Sequence, residues 1–347
     1  MHFIKKSSTF TPIIRVSSLP MMEVTIIIPV YNRAAVVPTT LQTVLAQTHR
    51  PLQVVLVDND STDGSRQVLE DFRQEHDSED FRVIVTSASH HTAGAARNRG
   101  MKFATGEWVL FFDSDDLMEE GLVGSYVETI EEAKERGVTL DLISARSTLI
   151  FPDGRQRQAP FHKRDLFANH ILHGQLATQR YAVRREFFNK TDGWNINLPG
   201  WNDWELGLRL LLASPRVAYM GGKSRVIINH NGADSITGTE FHSRRGQWEH
   251  VIDIMKCEVQ CSRLKQEHKT RFLRLLEYRR LVLAAQYERE GHPESAKPLC
   301  KEAYQKLQAS YRGSRRWRWL VGPVTRRLFA RIAAGKRGSA RIARLLY

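Results

Sequence analysis

The apolar residues of this chain fall into short β-branched runs separated by longer amphipathic stretches. Val24–Val30 (VTIIIPV) is nearly continuous in apolar side chains, the pattern of a strand covered on both faces in a parallel sheet. Leu52–Asp58 (LQVVLVD) repeats it, and Phe81–Thr86 and Trp108–Phe112 read as third and fourth strands. Between and after them, helices are predicted over Ala34–Gln47, Asp63–His76, Thr92–Ala104 and Glu119–Arg136. Pro38 is tolerated in the first of these if it lies in the first turn. Strand and helix alternating over short links predicts βαβ units. The expected fold is α/β, a doubly wound, mixed but mainly parallel sheet with helices on both faces.

Beyond Thr139 the pattern changes. Leu140–Phe151 reads as one strand, followed by a hairpin turn at Pro152-Asp153-Gly154. Ala177–Val183 reads as a strand, Arg184–Asn189 as a short helix, Trp204–Ala213 as a longer one, and Val217–Met220 and Arg225–Asn229 as short strands. From Phe241 onward only helical periodicity is found, over 241–264, 268–290, 294–311 and 315–334. The expected division is a flexible leader at 1–22, an α/β domain at 23–240 and an all-helical C-terminal extension at 241–347.

Length and apolar content suit a protein with a real core: 347 residues, of which 41% are hydrophobic. The net charge of +13 is unevenly placed. No acidic residue occurs from Arg312 to Tyr347, while basic residues recur throughout, as in Arg315, Arg316, Arg318, Arg326 and Arg327. Such a segment suits polyanions or anionic lipid. Arg316-Trp317-Arg318-Trp319-Leu320, followed by Leu328, Phe329 and Ile332, mixes aromatics with arginines. It is expected either to lie against an anionic membrane surface or to pack as a helix on the rest of the chain or in a homodimer. Cys257, Cys261 and Cys300 form no metal-type cluster, as in a reducing cytoplasm. No secretory signal or bilayer-spanning stretch is read, so a cytoplasmic protein is expected, with peripheral attachment at the inner face of the membrane as a variant.

The chemistry concentrates where strands end. Val109-Leu110-Phe111-Phe112 runs straight into Asp113-Ser114-Asp115-Asp116. Carboxylates at the carboxyl edge of such a sheet suit a hard divalent cation that shares its oxygens with a diphosphate, although Asp is also a common helix cap. The second strand ends in Asp58-Asn59-Asp60-Ser61-Thr62-Asp63. There Asp63 or Thr62 suits capping, and Asp58 suits a contact with a base or a ribose hydroxyl. Tyr31, just past the first strand, can stack on a base. Ala93-Gly94-Ala95-Ala96-Arg97-Asn98-Arg99-Gly100 is a helix of small residues that allows close approach. Its two arginines point to different sides, and Arg97 is the one expected at a ligand. In Trp201-Asn202-Asp203-Trp204, aromatic rings beside a carboxylate suit sugar stacking and a base of raised pKa. His230, after a short strand, is a candidate metal ligand.

Taken in order, TIIIPVYNR (25–33), VVLVDNDSTDGS (54–65), AGAARNRGMKFATGEWVLFFDSDD (93–116), YAVRREFFNKTDGWN (181–195) and GWNDWELGLRLL (200–212) resemble the family 2 glycosyltransferases of GT-A fold. The resemblance implies a nucleotide-diphosphate-sugar donor, with UDP as the preferred carrier, a Mn²⁺ or Mg²⁺ ion and an inverting transfer. The acceptor would be a hydroxyl of a glycan or lipid-linked molecule in cell-surface polysaccharide synthesis. It implies a nucleotide-binding part at 23–118 and an acceptor part at 119–240. Pro29, Tyr31, Asn32, Asp58, Arg97, Asp113 and Ser114 would contact the donor, Asp115, Asp113 and His230 the metal, and Trp201 and Trp204 the acceptor. Asp203 would be the catalytic base. Two positions depart from the family pattern: Asp58-Asn59-Asp60-Ser61 stands for Asp-Asp-Gly-Ser, and Asn202 stands for the Glu of Glu-Asp. A sugar-1-phosphate nucleotidyltransferase would want a glycine-rich loop after the first strand, which Tyr31-Asn32-Arg33-Ala34-Ala35 is not. A non-catalytic glycan or polyanion binder would leave the acidic strand ends without purpose. Nucleic acid is not an expected partner.

Overall fold

The structure, a computed structural model, describes residues 21–90, 92–229, 241–311, 314–336 and 338–347. Strands β1 (Val24–Val30), β2 (Leu52–Asp58), β3 (Phe81–Ser87) and β4 (Trp108–Phe111) alternate with helices α1 (Val37–Leu45), α2 (Ser65–His76) and α3 (Ala93–Met101). After β4 come β5 (Leu117–Met118), α4 (Leu122–Glu135), β6 (Leu142–Ser144), β7 (Ser147–Ile150), β8 (Gln156–Gln158), α5 (Leu166–His173), β9 (Tyr181–Arg184), α6 (Arg185–Phe188), α7 (Asn202–Leu212), β10 (Val217–Tyr219) and β11 (Val226–Asn229). The main sheet has the order β10-β6-β9-β4-β1-β2-β3, with β9 the antiparallel member. A smaller sheet, β5-β11-β7-β8, stands beside it.

The register places the strand ends that matter together. Val30 pairs with Asp58, and Asp58 with Ser87, so β1, β2 and β3 finish at one level. β4 lies on the other side of β1, and the Phe112 amide donates to the Ile27 carbonyl at 2.9 Å. Strand order thus reverses between β1 and β4, the position where open α/β sheets leave a crevice. The small residues of α3 permit its approach: a Cβ on Gly100 would lie 2.4 Å from Ile27 Cγ2.

Two expected strands differ from the sequence reading. Leu140–Phe151 divides into β6 and β7, which belong to different sheets. The chain leaves the first sheet at Ala145, whose amide donates to the Arg180 carbonyl at 2.7 Å. The first half of Ala177–Val183 is a 3₁₀ turn (Thr178–Arg180), and only the second half is strand. Phe151–Arg155 closes the expected hairpin turn, with the Phe151 amide on the Arg155 carbonyl at 2.9 Å.

The C-terminal helices are α8 (Gln247–Cys261), α9 (Gln266–Arg289), α10 (Pro293–Ser310), α11 (Gly322–Ala333) and α12 (Ser339–Leu346). Their apolar faces meet α5 and α7 in one core that includes Ile171, Leu208, Met255, Leu276, Leu299 and Leu328. The α5–α7 contact is tight. His170 Nε2 lies 2.7 Å from the Trp204 carbonyl oxygen, and a Cβ on Gly207 would lie 2.3 Å from the His170 ring. Trp317, Leu328 and Ile332 are buried in this core, whereas Trp319 is 77% exposed.

Candidate active site

A cleft of about 450 Å³ opens at the reversal between β1 and β4. Its wall is formed by Pro29, Tyr31 and Arg33 after β1, Asn59 after β2, Ala93 and Arg97 of α3, and Asp113–Asp116 after β4. Thr178, Gln179, Trp201, Asp203 and Asn229 complete it. Five expected site residues thus meet in one place with Asp203: Tyr31, Arg97, Asp113, Asp115 and Trp201, and Pro29 and Ser114 join them.

The loop after β1 is pinned rather than free. Asn32 adopts a left-handed backbone (φ 49°), which Asn tolerates better than most residues. Its Oδ1 accepts from the Thr62 amide at 2.8 Å, and its own amide donates to Ser61 Oγ at 3.1 Å. The Arg33 amide donates to Ser65 Oγ at 2.8 Å and the Ala34 amide to Asp63 Oδ2 at 2.9 Å. Asn32 therefore holds two loops together, and its side chain is committed away from the cleft. Asp63 also accepts from the Ser65 amide at 3.0 Å, but the N-cap of α2 is Gly64, not the expected Asp63 or Thr62. Asp58 lies buried behind the wall, with Oδ1 accepting from the Ser61 amide at 3.2 Å, and Asn59 takes the lining position.

The acidic loop is held by α1, since Thr40 Oγ1 donates to the Ser114 carbonyl at 2.9 Å. Arg97 Nη2 donates to Asp113 Oδ1 at 2.5 Å, and its guanidinium rests 4.3 Å from the Trp194 ring centre. Gln179 Nε2 donates to Asp113 Oδ2 at 2.6 Å and also to Asp116. Asp116 further accepts the Asn229 amide at 2.8 Å, so it ties β11 and the 3₁₀ turn to the loop. Burial, then the Asp113 and Asp115 charges, push its carboxyl well above the usual range. Asp115 is also raised, by burial first and the Asp113 charge second, against the pull of Arg33, whose Nη2 lies 3.9 Å from Oδ2.

Asp203 is the second residue of α7, and its Oδ1 accepts the Trp204 amide at 2.8 Å. Burial raises its carboxyl above the ordinary value and Asp113 adds to this, while Arg97 opposes. Trp201, left-handed at φ 55°, lines the cleft and packs its ring edge-on to Trp204 and 4.6 Å from Trp248. Trp204 itself is core, with Nε1 donating to the His170 carbonyl at 3.0 Å, so it stands away from the wall where an acceptor contact was expected.

Four carboxylates, Asp113, Asp115, Asp116 and Asp203, thus share a wall with two guanidiniums among the described residues, Arg33 and Arg97. Hard oxygen donors crowded until their charges repel suit a divalent cation. Among the described residues, the only convergence of three ligating side chains is His242, His292 and Glu294, elsewhere in the fold. That trio has its two imidazoles stacked face to face at 3.6 Å, so their in-plane lone pairs do not converge. Asp113 and Asp115 would therefore supply part of a coordination shell, with ligand and water oxygens completing it. His230 lies outside the described residues.

Sequence reasoning missed Gln179, Arg33 and Asn229. Gln179 had no signal, because its segment reads as strand. Arg33 stood in the quoted Tyr31-Asn32-Arg33 run but was given no role.

Comparison with known proteins gives the family. The family model for glycosyl transferase family 2 matches residues 25–191. An uncharacterized glycosyltransferase of Nostoc sp. is 32% identical over 192 residues, 54% of this chain and 58% of that one, so the chain spans under two thirds of that relative. A PGL/p-HBAD biosynthesis glycosyltransferase of Mycobacterium bovis is 30% identical over 185 residues, 53% of this chain and 68% of the relative. S. aureus TarS residues 1–349, solved in complex with UDP-GlcNAc, superposes with a TM-score of 0.66 at 19% identity, covering 93% of this chain and 91% of that one. With the sheet reversal, the acidic strand end and Asp203 of α7 meeting in one cleft, the chain belongs to family 2 of the glycosyltransferases.

Proposed function

We propose that the protein transfers a sugar from a nucleotide-diphosphate sugar, with UDP as carrier, to a hydroxyl of a glycan or lipid-linked acceptor, inverting the anomeric centre. The observation that carries this reading is the placement of Asp115 and Asp203 on one cleft wall with Arg97 and Asp113. The UDP-GlcNAc in the TarS crystals makes that donor the first to test.

Tyr31, 52% exposed at the mouth, offers a ring face to the base. Asp113 and Asp115 would hold Mn²⁺ or Mg²⁺, which supplies charge neutralisation for a departing diphosphate. Arg33 stands where a phosphoryl oxygen beside Asp115 would be met by a guanidinium. Gln179 and Arg97 fix the Asp113 carboxylate, so that it does not reorganise as charge develops. Asp203 receives the proton of the acceptor hydroxyl. Its burial makes it a stronger base, while the amide end of α7 and Arg97 keep it ionised. Trp201 gives the acceptor sugar an apolar face.

The test is a screen of nucleotide-sugars with Mn²⁺, reading released nucleotide. UDP release from a UDP-sugar, abolished by EDTA, supports the reading. Silence with every donor across Mn²⁺ and Mg²⁺ would sink it.

Peripheral contact with an anionic membrane is supported by exposed Trp319 and Leu320 within the arginine-rich segment. Sedimentation with phosphatidylglycerol vesicles checks it. Trp319→Ser with Leu320→Ser abolishes cosedimentation if those residues insert, and unchanged cosedimentation refutes their role.

A further inference from the structure

Further along α7 than Asp203, and outside the cleft wall, Arg209 spreads its guanidinium over several partners. Nε and Nη2 take the two oxygens of buried Glu205 at 2.5 and 2.9 Å. Nη1 donates to the Thr191 carbonyl at 2.5 Å, and Nη2 also donates to the Gly193 carbonyl at 2.7 Å. Glu258 of α8 approaches from the C-terminal helices, 3.5 Å from Nε. The planar fork of an arginine can serve a carboxylate and two carbonyls at once, which the single ammonium of a lysine cannot match in geometry.

The segment that Arg209 holds leads directly into Trp194. Gly193 is left-handed (φ 68°), and a Cβ there would lie 2.7 Å from Asn98 Oδ1. That oxygen accepts the Trp194 amide at 2.9 Å, and Asn98 Nδ2 donates to the Trp194 carbonyl at 2.8 Å. The backbone of Trp194 is thus gripped by α3 and, one residue earlier, by Arg209. Its buried ring lies edge-on to Phe111, centres 5.1 Å apart, and carries the Arg97 guanidinium 4.3 Å from its own centre. Arg97 has little else to hold it. Among the described residues, its Nη2 meets Asp113, and its Nε and Nη1 are buried without a hydrogen-bond partner. A desolvated guanidinium is drawn to the face of an indole, so the position of the ring helps to set the position of the cation. Arg97 in turn orients the Asp113 carboxylate in the cleft.

We propose that Arg209 is a positioning residue for the donor site. It fixes the Gly193–Trp194 platform, the platform fixes Arg97, and Arg97 fixes Asp113. The proposal rests on the glycosyltransferase reading and adds to it a residue that touches neither the donor nor the cleft.

The test is calorimetric titration of UDP with Mn²⁺ into the full chain, comparing wild type, Arg209→Lys, Arg97→Lys and the double variant. Thermal unfolding of each is recorded alongside. UDP affinity is expected to fall roughly fivefold or more in each single variant. Adding Arg209→Lys to Arg97→Lys costs little further, because the first residue acts through the second. A purely structural role would lower the unfolding temperature and leave the UDP affinity of the folded protein unchanged. Wild-type affinity in Arg209→Lys, or single losses that add in full in the double variant, overturns the proposal. If Arg209→Lys does not fold, Trp194→Phe takes its place, since it keeps an aromatic core residue but shrinks the platform. The same coupled loss is expected there, and unchanged affinity or full additivity with Arg97→Lys overturns the proposal equally. A wild type that binds no UDP strikes the transferase reading and the proposal with it, whereas the outcomes above strike the proposal alone.

Discussion

Two buried parts of this chain treat charge in opposite ways. In the C-terminal helices, Glu277 and Arg280 are buried, yet each is ion-paired. Lys256 donates to Glu277, and Arg280 pairs with Asp253, with Glu277 at 3.4 Å and with Glu302 at 3.3 Å. In the cleft, among the described residues, Asp113, Asp115, Asp116 and Asp203 share the wall with Arg33 and Arg97 alone as cations. The first arrangement pairs its charges within the chain. The second is short of positive charge, and burial first, with the Asp113 charge beside it, raises the Asp115, Asp116 and Asp203 carboxyls. Unbalanced charge held in a rigid wall marks where a ligand completes the electrostatics.

The contrast can be broken most decisively at Asp203. Asp203→Asn keeps shape and removes the proposed base, so turnover is expected to fall about 10²- to 10⁴-fold with donor affinity nearly intact. Steady-state kinetics with bound-nucleotide measurements check this, and near-normal turnover refutes the assignment. On the paired side, Glu277→Ala leaves Lys256 and Arg280 without their shared carboxylate and costs about 3–5 kcal/mol of stability. Asp115→Asn, by comparison, relieves like-charge repulsion and leaves metal-free stability equal or higher. Denaturant titration of both variants reads the difference, and a large loss in Asp115→Asn would erase the distinction.

The pH dependence sharpens it further. The Asp115, Asp116 and Asp203 carboxyls titrate above their unfolded value of 3.8, so between that value and the raised ones the folded chain holds more protons than the unfolded chain. Their stabilising contribution is complete below 3.8 and is lost as pH rises through the raised values. Thermal unfolding in EDTA therefore declines with rising pH across that window, less steeply in Asp115→Asn. Turnover shows the reverse acid limb, because Asp203 must be ionised to accept a proton.

The smallest effect is expected at Glu258. Its carboxyl is pushed well up by burial first and by Glu205 next, with Arg209 opposing. Below that raised value the Glu258 carboxyl holds its proton, and this stabilisation is lost as pH rises through it. Glu258→Gln changes stability little at neutral pH and raises it at alkaline pH. A variant less stable than wild type at alkaline pH contradicts this.

Much of this was legible in the sequence where one physical rule dominates. β1 and β2 are covered on both faces, so their side chains are continuously apolar and the strands read directly. Asp113, Asp115 and Asp203 stand at element ends, where exposed backbone and carboxylates coincide. Legibility fails where partners distant in sequence decide. Asn32 was expected at the nucleotide but is claimed by Thr62, and Trp204 was expected at the acceptor but is claimed by His170. Gln179 is brought to Asp113 by a 3₁₀ turn inside an apparent strand. The break at Ala145 depends on the Arg180 carbonyl, which no local pattern announces.

The account turns on whether the cleft's excess of carboxylate is completed by a cation and a diphosphate together. Calorimetric titration of UDP into wild type with Mn²⁺, wild type in EDTA, and Asp115→Asn with Mn²⁺ measures this directly. The expected affinity drops roughly tenfold or more in the second and third cases. Equal UDP affinity in all three would contradict the account.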